Sequence, residues 1–361
     1  MNLSNLKQEK NDFRIELSKY LTIILNFFNV IIFSFIFGED SLADYVFYIS
    51  LSIVFNSLLD FGLNTLNCNM ELKKNVFYSF SNTVAFRLIF IKFLIILMLF
   101  FALNVNKMIL IATLIQVLPS VYLMRFLSVK RRSKEIFLSI MYGELLPSIM
   151  KLAIILILSL YFDSFHTMVG ISIGVLLYCL ALSGLMPVSG LAVFGSHKSS
   201  NESKFKFSAY FLSVFFAAKN QIYGLLIPGI SSIEQKNLLA VLSRISSLFL
   251  ALISPMIARL PLFIDSLHLK NKSFLLGLAI LTFLFLMFIS FWKELLLFFG
   301  YIFSTPEILI SSSSFYLLLL IMINIFVIFI SQVLIFKGLT RISLAIEITY
   351  FLIVIFAILY I

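Results

Sequence analysis

Apolar residues run through this chain in blocks long enough to cross a bilayer, with short polar or charged gaps between them. A helix needs about 20 such residues to traverse the roughly 30 Å hydrocarbon layer. The blocks predict spans at 18–37, 45–66, 84–103, 108–128, 136–160, 168–187, 207–229, 237–258, 274–292, 312–334 and 342–361. They are continuous and do not alternate residue by residue, which points to helices and away from a barrel. The expected fold class is an all-α polytopic membrane protein with about eleven transmembrane helices. The Ser-, Asn- and Lys-rich stretch 195–206 reads as a solvated linker between an amino-terminal bundle, 1–194, and a carboxyl-terminal bundle, 207–361. A faint internal likeness joins the segment from Ser41 to Ile53 with that from Ile233 to Ile245, each a short polar turn opening a helix.

Composition agrees with this pattern. Of 361 residues, 61% are hydrophobic and only 12% charged, with mean hydropathy +1.08, whereas a soluble domain carries about 25% charged residues. The net charge of +10 would suggest nucleic acid in a soluble protein, so its placement decides its meaning. Basic residues collect in alternate gaps: Lys7 to Lys19, Lys73 and Lys74, Lys130 to Lys134, Lys198 to Lys206, Arg259 to Lys272, and Lys337 with Arg341. The intervening gaps hold little beyond Lys107 and Lys293. By the positive-inside rule the rich gaps and the amino terminus face the cytoplasm, and nucleic acid is set aside as a partner. The exit of the first block, Phe37-Gly38-Glu39-Asp40, lacks a small-residue cleavage pattern, so this block is expected to remain as a helix. Cys68 and Cys179 are too few for a disulfide framework.

Polar residues inside spans are costly and mark bundle interiors or water-filled cavities. Asn26 belongs to a stripe with Ser18, Thr22 and Asn29, and Asn56 to one with Ser52, Asp60 and Asn64. The span at 237–258 carries Ser243, Arg244, Ser246 and Ser247, and the span at 207–229 groups Lys219, Asn220 and Gln221. These four spans are expected around a polar cavity, although single hydroxyls also serve as ordinary interhelical bonds. Lys219 lies about 18 Å along its span, too deep to reach either surface easily; it reads as a cavity cation, with a structural ion pair as the alternative. Arg244 either faces the cavity or snorkels outward, and Asp60 either faces the cavity or anchors a loop. Lys92 and Lys151 are further candidate cations, and Glu144 shares a face with Lys151 across Pro147, which loosens the helix. Glu347, with Ser343 one turn earlier, is a candidate proton-coupling acid beside Glu144, though no partner for it is visible.

No phosphate-binding glycine loop, metal-ligand cluster or nucleophile elbow is present, so no catalytic residue, metal or cofactor is expected. The histidines, His166, His197 and His268, are scattered in loops or at helix ends. Gaps on the outer side are short, the longest running from Lys293 to Ser311, which leaves no room for an extramembrane enzyme domain.

Two stretches carry a resemblance to a known family. Phe37-Gly38-Glu39-Asp40-Ser41-Leu42-Ala43-Asp44-Tyr45, leading to Leu59-Asp60-Phe61-Gly62-Leu63, and Ile233-Glu234 through Ser243-Arg244-Ile245 resemble motifs of the O-antigen and capsule polysaccharide flippases. These belong to the multidrug, oligosaccharidyl-lipid and polysaccharide exporter superfamily. The resemblance implies two bundles around a central, partly cationic cavity open alternately to each side of a bacterial cytoplasmic membrane. It also implies an undecaprenyl-diphosphate-linked oligosaccharide as cargo, membrane lipids around it, and the polysaccharide polymerase machinery as a further partner. On this reading Lys219, Arg244, Lys92 and Lys151 neutralise the diphosphate while Asn and Ser side chains bond sugar hydroxyls. The family carries twelve or more helices where eleven are read here. A drug or cation exporter of the same superfamily is the alternative, with Asp60 or Glu347 essential, and a membrane-embedded glycan-processing enzyme is a third.

Overall fold

A computed structural model of the chain describes residues 3–59, 106–117, 141–184, 215–265, 290–302, 312–336 and 340–360, with isolated residues between 90 and 98 and residue 286. Among the described residues every regular element is helical. They are α1 (Leu3–Phe37), α2 (Glu39–Leu59), α3 (Lys107–Val117), a π turn (Met141–Leu145) running into α4 (Leu146–Leu158), and α5 (Ser164–Gly184). Then come α6 (Ile222–Leu226) with a 3-10 turn (Ile227–Gly229), α7 (Ile233–Asp265), α8 (Trp292–Ile302), α9 (Ser312–Phe336) and α10 (Thr340–Tyr360). Among the described residues four stretches are long and apolar enough to cross a membrane: Leu17–Phe37, Met141–Leu158, Ser164–Leu182 and Arg341–Ile358. Three shorter apolar helices cover Ser41–Asn56, Lys107–Val117 and Phe315–Ile328. Contacts divide the chain into two compact units, Met1–Val214 and Phe215–Ile361.

In the first unit, α1 and α2 form a hairpin whose turn has a local cause. Gly38 takes φ +83°, open to a residue without a Cβ, and its amide closes the last turn of α1 on the Ser34 carbonyl at 2.9 Å. Helix α2 then opens at once at Glu39. Helix α2 therefore begins six residues before the predicted 45, because hydropathy marks apolar length and misses a polar first turn. Phe33 and Tyr45 hold the hairpin, their rings stacked at 3.9 Å and 10°. Helix α1 packs on α4 and the π turn, α2 on α3, and α5 on both α3 and α4. At the α4–α5 contact, Gly170 and Gly174 leave notches that receive the terminal methyls of Leu158 and Ile154, the close approach that small residues permit between helices. The π turn ends just before Pro147. Pro147 has no N–H to offer the carbonyl four residues earlier, so the helix accommodates an extra residue there.

In the second unit α10 packs on α9, α9 on α7, and α6 on α7. Two expectations change here. The span at 207–229 is not one helix: residues 215–220 are helical, the chain turns at Gln221, and α6 and the 3-10 turn follow. Residues 292–302, expected to lie mainly in an outer loop, form helix α8, with Leu296 and Phe299 buried. Its single Lys293 and Glu294 interrupt an otherwise apolar segment without breaking it. The 84–103 and 274–292 spans lie largely outside the described residues, as do the far ends of the 45–66 and 108–128 spans.

Candidate functional site

The break at Gln221 explains how three adjacent polar residues are accommodated. Side chains at successive helical positions point about 100° apart, so Lys219, Asn220 and Gln221 cannot all meet one partner from a straight helix. Gln221 has φ −109° and ψ 8°, between the main allowed basins, and its amide is shared between the Ala217 and Ala218 carbonyls, each at 3.2 Å. Each of the three side chains then reaches a different helix. Lys219 Nζ donates to Glu347 Oε2 on α10. Asn220 Oδ1 accepts from Asn324 Nδ2 on α9 at 3.5 Å. Gln221 Oε1 accepts from Arg244 Nη2 on α7 at 3.5 Å.

Lys219 and Glu347 form the electrostatic centre of this unit, with side chains 1% and 0% exposed. An unpaired lysine at such depth costs roughly 3 kcal/mol on insertion scales, and the pairing offsets that cost. Aromatic rings complete the surroundings of the ammonium, with Phe216 at 5.0 Å and Tyr350 at 5.5 Å from ring centroid to Nζ. Tyr350 donates its hydroxyl to the Leu320 carbonyl, and Tyr223 donates to that of Leu317 at 3.4 Å. Arg244 is buried and also meets Ser243 Oγ at 3.3 Å, so its guanidinium bonds inside the unit.

The first unit carries a separate polar seam. Ser148 on α4 donates to Asn26 Oδ1 at 2.9 Å and to the Glu144 carbonyl at 2.8 Å, while Asn29 Nδ2 donates to the Ser148 carbonyl at 3.1 Å. Glu144 is exposed on the π turn, Lys151 is half-buried one helical turn after Pro147, and Asn56 is half-buried on α2. A second cluster joins three helices: the Tyr48 hydroxyl meets Gln116 Oε1 on α3 and Ser172 Oγ on α5, the latter at 2.7 Å.

Of the residues singled out in the sequence, Lys219, Asn220, Arg244 and Glu347 thus come together in the second unit, while in the first Ser148 bonds the Asn26 side chain and only the backbone carbonyl of Glu144. Asp60 and Lys92 lie outside the described residues. Asn324 escaped notice although it is an amide within a long run of Leu, Ile and Phe, a signal that was available. Tyr48 and Gln116 gave none, since an interfacial tyrosine and a lone glutamine look the same in sequence. No family model, curated protein or solved structure matches the chain.

Proposed function

We propose that this protein moves a polyprenyl-diphosphate-linked oligosaccharide, an O-antigen or capsule repeat unit, across a bacterial cytoplasmic membrane by alternating access. In this reading its amino terminus is cytoplasmic. The observation that carries the reading is the Lys219–Glu347 pair at a broken helix, with Arg244 and three amide side chains bonded beside it. A bilayer-spanning unit gains little from burying such groups for stability alone. A cationic, hydrogen-bonding site suits a diphosphate and sugar hydroxyls. Lys219 serves the diphosphate once the Glu347 carboxylate gives way, and protonation of Glu347 is the simplest way to release it.

Deletion of the chain tests this when the lipid fraction and the surface glycan are analysed together. Complete lipid-linked units accumulate inside and surface polymer is lost. The K219M/E347L double variant, in which no charge is left stranded, gives the same phenotype at unchanged protein level; unaltered surface sugar would remove Lys219 from the site.

The buried acid Glu347 favours one second reading, a proton-coupled drug or cation exporter. Normal polymer together with new sensitivity to cationic drugs after deletion would select it.

A further inference from the structure

Hydroxyls buried in these helices commonly bond back to the carbonyl four residues earlier. Ser18, Thr22, Thr113, Ser148 and Ser172 all do so. Ser52, Thr167, Ser246, Ser247, Ser331 and Ser343 do not, their buried hydroxyls having no hydrogen-bond partner among the described residues; of these, Ser331 and Ser343, both 0% exposed, share one hairpin with Glu347. Glu347 Oε1, the oxygen turned from Lys219, is in the same state.

These three groups lie at one end of one hairpin. Ser343 is three residues after the start of α10 and Ser331 five before the end of α9, or about 5 and 8 Å from the ends that face each other. Glu347 follows Ser343 by four residues, so it stands on the same face one turn deeper. The first turn of α10 is open, with Arg341 and Ile342 exposed. Buried polar atoms that lack protein partners are where proteins hold water.

We propose that the Thr340 end of α10 admits a hydrated path past Ser343 and Ser331 to Glu347 Oε1, making this carboxylate a proton-binding site in contact with the aqueous phase on the Arg341 side. A proton delivered by water bonds to Oε1, the carboxylate becomes a neutral acid, and Lys219 keeps its own protons and its charge. Among the described residues the titratable groups around the site are few. Lys219 faces it from 215–220, and Tyr350 follows it on α10 with Tyr223 close by. Tyr316, the one titratable residue of α9, is exposed, and Arg341 stands at the mouth. The inference stands whatever the cargo is.

The test uses full-length protein in liposomes, a water-soluble carbodiimide with glycine ester as nucleophile, and mass spectrometry of the peptide carrying Glu347. Native protein is labelled at Glu347. S343L, which fills the path, loses that label, while a hydrophobic carbodiimide still reacts and exposed Asp163 labels normally as a sign of intact protein. S343A, which removes the hydroxyl without adding bulk, retains the label. Should S343L fold poorly, native protein and S343A decide the matter. Glu347 reacting only with the hydrophobic reagent in native protein, or labelling of folded S343L at the native level, would overturn the proposal. Neither outcome depends on transport, so loss of the flippase reading leaves it standing.

Discussion

Lys219 and Glu347, 128 residues apart in the chain, bond side chain to side chain with 1% and 0% of their side chains exposed. Two helical segments are tied by this pair, and either charge left alone there is expensive. K219A or E347A alone is expected to destabilise the protein by about 3–5 kcal/mol, and the double variant K219M/E347L by clearly less, because no charge is then stranded. Thermal unfolding in detergent reads the difference. A double variant as unstable as the sum of its parents would mean that the pair adds little beyond its separate packing.

Ser148 offers a smaller test in the first unit. S148A removes the hydroxyl that links Asn26 to the Glu144 carbonyl but keeps the carbonyl that Asn29 uses. The expected cost is about 1 kcal/mol, typical of interhelical bonds within membranes. A combined N29A/S148A variant should lose more than either single change, since α1 and α4 would then share neither bond.

Pro147 is expected to hold the π turn in place. P147A supplies the missing amide, allowing residues 141–158 to regularise, which rotates Glu144 by about 100° relative to α4. Thermal stability should rise and restoration of surface glycan in a deletion strain should fall. Full restoration with raised stability would show that the extra residue has no part in transport.

Asp163 precedes α5 and caps it, accepting the His166 amide at 2.9 Å and the imidazole Nδ1 at 2.7 Å. The backbone bond from His166, and then its ring, hold the Asp163 carboxyl below the usual range. A depressed carboxyl contributes stability above its unfolded value of about 3.9 and loses it as pH falls through the folded value. D163A should therefore cost about 1 kcal/mol at neutral pH, as removal of an N-cap does, and the gap between variant and native melting curves should close below about pH 4. A gap independent of pH would assign the effect to packing of the loop.

Hydropathy placed α5, α9 and α10 within a few residues, and the end of α1 at Phe37, because each is a long apolar helix between polar ends; it missed the polar stretch from Leu3 to Leu17 with which α1 begins. It erred where polarity and helicity part company: the acidic start of α2, the extension of α7 to Asp265, and α8 around Lys293. Among site residues, the depth of Lys219 and Glu347 was legible from their apolar flanks, but their pairing was not, since nothing local links residues on separate helices. The turn at Gln221 was equally hidden. Three consecutive polar residues signal cost, and only the positions of Glu347, Asn324 and Arg244 on three other helices show why the backbone opens there.

The notches at Gly170 and Gly174 give the α4–α5 hairpin a grip that is purely one of shape. Methyl groups seated against backbone carry no charge to titrate and none to screen, so acid and salt leave this contact untouched. The Lys219–Glu347 contact, by contrast, holds two opposite charges in a buried place, and removing either strands the other. One unit is thus built around a joint of shape, and the other around a joint of charge.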